Sequence, residues 1–200
     1  MTTRLARQQR SVSVELLNRQ WVWSTTRLAF LVSVLALCSR FTIPLPFTPV
    51  PVSLAPQAVC SLALLQSHQA FGAVGLLLLG GIAGLPLFSG GSMGLVHLLG
   101  PCGGYLAGYL LVALIARFAG LEKWAHRKTI FFAALVLGSA LILGCGFLRL
   151  VPLLGFQKAW FLGVQPFLIG DFLIKCPLFA LFHTAASPRL RAAKGARSGL

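Results

Sequence analysis

Acidic residues are almost missing from this chain. Glu15, Glu122 and Asp171 are the only three in 200 residues, and charged residues of both signs make up 10%. A water-soluble domain carries about 25% charged residues because it must cover its surface in water. This chain has too little polar surface for that, so its outer solvent is expected to be lipid. Catalysis by paired carboxylates is also short of material, because Glu15 and Glu122 lie in polar flanks far from Asp171.

Other absences narrow the function further. Five cysteines (Cys38, Cys60, Cys102, Cys145, Cys176) form no CxxC and no metal-ligand spacing with histidine. They read as small apolar packing residues, and neither a metal nor a cofactor is expected. His97 has no carboxylate nearby in sequence to orient it as a base, and His68, His126 and His183 read as interfacial or surface residues. No catalytic residue is therefore assigned. No GxxxxGK[ST] phosphate loop occurs, so any nucleotide-driven work would need an ATPase on another polypeptide. No repeated charge series suggests a channel filter. A polar stretch, Met1 to Gln20, precedes the first apolar run, so no cleavable signal peptide is expected and insertion would use the spans themselves.

Apolar sequence is what the chain has in quantity: 57% of residues, with a mean hydropathy of +0.86. A helix needs about twenty residues to cross about 30 Å of hydrocarbon. Six segments come close: Thr26–Ile43, Val52–Gln66, Ala70–Phe88, Gly100–Ala119, Thr129–Leu148 and Trp160–Ala185. The second is interrupted by Pro56 and Gln57. The expected fold is an all-α integral membrane protein, a six-helix bundle with both termini cytoplasmic and proline- and glycine-rich outward loops. Residues 1–26 read as a basic cytoplasmic N-terminal segment, 27–186 as the membrane substrate-binding domain and 187–200 as a basic cytoplasmic tail.

The net charge of +14 does not point to nucleic acid, because the basic residues sit in tails and loops with no aromatic-plus-basic stripe. Their placement sets orientation instead. One side would carry Arg4, Arg7, Arg10, Arg19, Arg27, Arg117, Lys123, Arg127, Lys128, Arg189, Arg191, Lys194 and Arg197; the other would carry only Arg40, Arg149 and Lys158. By the positive-inside rule, the richer side is cytoplasmic. Trp21, Trp23, Trp124 and Trp160 fall at expected span ends, where amphipathic rings prefer to sit. The basic tails need no partner beyond the anionic inner leaflet of the bilayer.

Two stretches are not ordinary helix. Thr42–Pro56 carries Pro44, Pro46, Pro49, Pro51 and Pro56, so it should be extended or broken. Gly80–Gly104 is dense in glycine. The apolar side chains Phe47, Leu85, Leu87 and Phe88 favour connections folded back into the protein, where irregular backbone is tolerated at membrane depth. Gly80 with Gly84, and Gly100 with Gly104 and Gly108, recur at helical spacing and would let helices approach closely.

Asp171 and Lys175 stand alone as charges inside the apolar run PFLIGDFLIKCPLFALF. Each costs about 2.5–3.5 kcal/mol at the centre of a span. At i and i+4 they share one helix face. They could neutralise each other, or face a cavity and hold a polar ligand, and the two readings are compatible. Pro166 and Gly170 nearby suggest a loosened helix.

Three motifs in order give a family resemblance over about Arg27 to Ala185: FTPVPVSL at Phe47–Leu54, GLPLFSGGSMGLVHLLGPCGGYLAGY at Gly84–Tyr109, and PFLIGDFLIK at Pro166–Lys175. They are similar to the VPVTLQ, GLPVF…GPTGGYL and PF…GD..K stretches of the biotin transporter BioY family, the substrate-binding (S) components of energy-coupling factor transporters. The resemblance implies a six-helix bundle with a biotin pocket near its outer end. It implies a membrane-embedded T subunit and two ATPase subunits as partners. The matching substrate-binding positions are Tyr105, Asp171 and Lys175. Biotin's ureido N–H groups suit a carboxylate such as Asp171, its valerate suits an ammonium such as Lys175, and its rings suit apolar walls. Departures are visible: Cys102 stands where the family has threonine, Ala55 where glutamine follows VPVTL, with Gln57 displaced by two, and three residues rather than two separate Asp171 from Lys175. The small-xxx-small pattern that the resemblance implies for packing on the T subunit is present only loosely, as Ala29 and Ser33. An S component or carrier for another vitamin, and a membrane enzyme, are the alternatives.

Overall fold

The computed structural model describes residues 22–43, 50–123, 125, 127–168, 170, 176–177 and 180–181. Residues 1–21 of the basic N-terminal segment, the whole basic C-terminal tail, Trp124, His126, His183, Phe47, Pro44, Pro46, Pro49, Asp171 and Lys175 lie outside the described residues.

Helix α1 (Val22–Arg40) is followed by strand β1 (Thr42–Ile43) and strand β2 (Val52–Ser53), then α2 (Ala55–Leu65) and α3 (Ser67–Ile82). A connection with one 3-10 turn (Ser89–Gly91) and the short α4 (Leu95–Leu99) leads to α5 (Gly103–Ala119). Another 3-10 turn (Leu121–Lys123) leads to α6 (Lys128–Leu154), then α7 (Phe156–Gly163) and the single turn α8 (Gln165–Phe167).

Helix lengths depart from the expected spans. Among the described residues, only Val22–Arg40 and Thr129–Leu154 are long and apolar enough to cross a bilayer by themselves, while α2, α3 and α5 have 11, 16 and 17 residues. Helix α2 is about 17 Å long at 1.5 Å per residue. It can be short because it does not face lipid: Ala55 to Ser61, Ala63 and Leu64 are all buried. Pro56 does not interrupt this helix but opens it, at a first-turn position where its missing N–H costs nothing. Helix α6 runs on to Leu154, beyond the expected Leu148, with Pro152 confined to its last turn and Gly155 (φ 82°) ending it. The expected span Trp160–Ala185 breaks at Val164, so Trp160 belongs to a separate helix.

The proline-rich segment forms a two-stranded antiparallel clip, with Thr42 opposite Ser53 and Ile43 opposite Val52. The glycine-rich connection folds back only in part. Phe88 is fully buried on Gly81, where a Cβ would overlap its ring, and Leu87 packs on the core, but Leu85 is 55% exposed.

The core lies where α5 packs against α6 and α3, with α2 against all three. Gly104 and Gly108 make the α5–α6 approach possible: a Cβ at Gly104 would stand 2.5 Å from the Cys145 carbonyl oxygen, and one at Gly108 would stand 2.8 Å from the Ile142 Cα. Helix α1 buries Leu31, Leu35 and Ser39 and leaves Ala29, Phe30, Ser33 and Leu37 exposed. Glu122 accepts hydrogen bonds from the Ser67 N–H (3.1 Å) and hydroxyl (3.0 Å), capping α3 from the α5–α6 connection.

The outer faces are apolar. Phe30 on α1, Leu79 on α3, Phe118 on α5, Leu148 on α6 and Phe161 on α7 are all more than half exposed. Single exposed leucines are ordinary in soluble proteins, but a bundle exposing them on nearly every helix is built for lipid. Described basic residues separate to two ends. Arg27 lines a groove with His68 and Glu122, and Arg117 lies over the Phe71 ring. At the opposite end, Arg149 donates to the Leu99 carbonyl and Arg40 lies 3.0 Å from where a Gly91 Cβ would be.

Candidate functional site

The three motifs that carry the family resemblance are far apart in sequence and meet at one place. Val50, Pro51 and Ser53 come from the clip, and Pro56 from α2. Ser89 and His97 come from the glycine-rich connection, Cys102, Tyr105, Leu106 and Tyr109 from the head of α5, and Phe167 from α8. These walls enclose about 20 Å³, room for roughly one water. A wider concavity, about 770 Å³, lies at the opposite end between the start of α1 and the α2–α3 junction and contains none of these motifs.

Tyr105 is the one sequence-predicted site residue that the described structure places, and it lines this pocket. Its ring lies directly on Gly146 of α6, where a Cβ would overlap it, and beside Phe167, centroids 5.6 Å apart. Its hydroxyl donates a 2.6 Å hydrogen bond to the Gly163 carbonyl oxygen. The phenol is therefore anchored in the protein, and the ring offers an apolar wall. Asp171 and Lys175 are outside the described residues, but the residues flanking them are placed. Phe167 is in the pocket, Gly170 is beside Val52, and Cys176 is fully buried.

Cys176 is more than packing. Its thiol donates to Gln57 Oε1 (3.4 Å), and Gln57 Nε2 donates to the Ser139 hydroxyl (2.6 Å). All three residues are buried, so the hydrogen bonds among them meet polar groups that water does not reach. The trio ties α2 and α6 to the helical residues 176–177 that follow Lys175 in sequence. Gln57 thus serves the interior and does not line the pocket. A glutamine and a serine inside apolar runs were a signal of interhelical hydrogen bonding that spacing alone did not connect.

His97 also lines the pocket, although its sequence context offered no partner. Its ring stacks on Phe88 at 5.4 Å and 17°, and its Nε2 atom is buried with no hydrogen-bond partner among the described residues.

Exposed apolar helix faces and basic residues sorted to two ends describe a membrane protein, with a small pocket where the three motifs meet. Residues 8–192 match the BioY family, and the chain belongs to that family. It is 31% identical over 167 residues to the biotin transporter BioY2 of Lactococcus lactis subsp. cremoris, covering 82% of this chain and 90% of that one. It is 27% identical over 149 residues to a probable biotin transporter BioY of Rickettsia prowazekii, covering 74% and 75%. Among solved structures, it resembles the S-component for biotin from an ECF-type ABC transporter, with a TM-score of 0.72 and 26% identity over 88% of this chain and 94% of that one.

Proposed function

We propose that this chain is the biotin-binding S component of an energy-coupling factor transporter, a multi-pass protein of the bacterial inner membrane with no enzymatic activity of its own. The observation that carries this reading is the convergence of the three motifs on one pocket, supported by relatives named as biotin transporters. Asp171 accepts from the ureido N–H groups, Lys175 holds the valerate carboxylate, and Tyr105 walls the fused rings. A vitamin-sized ligand occupies a site of about 300 Å³ or more, so the pocket walls part on binding.

The six-span bundle is proposed with both termini in the cytoplasm, and residues 1–26 and 187–200 as basic segments on the inner leaflet. Impermeant thiol labelling of single-cysteine variants should reach positions near Gly91 and Gly155 from outside, and positions near Met1, Lys123 and Leu200 only after permeabilisation. Termini on opposite sides would reject the six-span reading.

With no phosphate loop in the chain, the energy comes from two ATPase subunits through a membrane-embedded T subunit. Ala29 and Ser33, exposed on α1, form the contact with that subunit. Proteoliposomes holding only this chain should bind biotin, hydrolyse no ATP and show no ATP-driven accumulation, and adding the partners should restore uptake. A bulky residue at position 29 or 33 should weaken assembly while leaving binding intact. Full-rate uptake by the isolated chain would count against this arrangement.

A further inference from the structure

Among the described residues, His97 Nε2, Ser61 Oγ and Gln69 Oε1 are buried without a hydrogen-bond partner, and of these only His97 lines the motif pocket. A buried polar atom without a partner carries a cost that proteins avoid unless something else meets it. The histidine is held rather than loosely placed. Phe88, fully buried against Gly81, provides the plane on which the imidazole stacks. Gly94 (φ 86°) allows the turn into α4, and Arg149 holds that helix's last residue by the Leu99 carbonyl. The imidazole is thus held at the pocket wall, and none of the pocket's other described lining residues is charged.

We propose that His97 contacts the ligand directly and helps set its specificity, with Nε2 hydrogen-bonding the ureido ring of biotin. This rests on the biotin reading above and adds a residue to it. Burial pushes the imidazole below its usual pKa, so the ring is neutral at pH 7, with one nitrogen a donor and the other an acceptor. A ureido group presents both N–H donors and a carbonyl acceptor, and so satisfies Nε2 in either tautomer. A carboxylate presents acceptors only and would favour the charged imidazolium that burial opposes.

The test is equilibrium binding of labelled biotin to the purified full-length chain and to two variants that remain monodisperse. His97→Phe keeps the stack on Phe88 and removes the nitrogen, and should weaken binding roughly tenfold. His97→Gln returns a polar group and should recover most of that loss. Biotin amide, whose tail carries no charge, should lose the same factor on His97→Phe. An analogue with an altered ureido carbonyl, 2-iminobiotin, should lose a different one. His97→Phe binding like the wild type would overturn the assignment and leave the biotin reading standing. So would a loss that vanishes with biotin amide, or a glutamine variant no better than phenylalanine. A wild type that does not bind biotin would overturn both.

Discussion

Asp171→Asn and Lys175→Gln are each expected to leave a folded, inserted protein that binds biotin roughly ten- to a hundredfold more weakly, since a charge-assisted hydrogen bond contributes about 1.5–3 kcal/mol and 1.4 kcal/mol is a factor of ten. The pair is the one set of charges within the last apolar segment, where an uncompensated charge is costly. Titration with labelled biotin reads the effect. If Lys175 holds the valerate, amide-linked biotin should already bind the wild type poorly, and Lys175→Gln should add little further loss. A merely self-neutralising pair behaves differently, because removing both charges would then restore what either single change had damaged. A double neutral variant with wild-type affinity would remove both residues from the ligand site.

The second large effect is steric. Gly146→Val should disrupt the pocket and with it the folded protein, because even a Cβ at this position overlaps the Tyr105 ring. That ring cannot retreat easily: it is 5% exposed, bonded to the Gly163 carbonyl oxygen and flanked by Phe167. Overpacking a tight site costs about 1–3 kcal/mol and sometimes more. Gly144, two residues away on the same helix, has open space where its Cβ would go. Gly144→Ala should therefore be neutral or slightly stabilising, since alanine is the better helix former. Combining Gly146→Ala with Tyr105→Leu should recover more folded protein than Gly146→Ala alone, because the two sites are in contact and couple. Thermal unfolding in detergent distinguishes these outcomes. Equal damage from Gly144→Ala and Gly146→Ala would mean that the tyrosine seat is not the cause.

The contrast between those two glycines also shows where the sequence stops being informative. Gly144 and Gly146 look alike in a row of apolar residues, and only the packing of α5 on α6 makes one indispensable. The Gly104–Gly108 ladder was legible because helical spacing is local, whereas its partner surface at Ile142 and Cys145 was not. Pro56 and Gln57 suggested an interrupted span; in the fold the proline opens α2, and the glutamine bonds to Ser139, 82 residues away. Composition made the lipid environment plain, and motif order made the family plain. The shortness of α2 was hidden because burial by neighbouring helices, rather than its own sequence, decides whether it must span lipid. His97 was passed over for the same reason: its stacking partner Phe88 and its pocket neighbours are set by how the glycine-rich connection folds back. Tyr105 was found by motif, yet its hydroxyl bond to Gly163 lies 58 residues away and no local pattern announces it.

Saturation binding of labelled biotin to the purified chain, without partner subunits and in competition with other vitamins, tests the central claim most directly. One site per chain, saturable and displaced by unlabelled biotin but not by an excess of thiamine or riboflavin, is the predicted result. Absence of saturable biotin binding by a monodisperse protein, or displacement by the other vitamins as readily as by biotin, would contradict it.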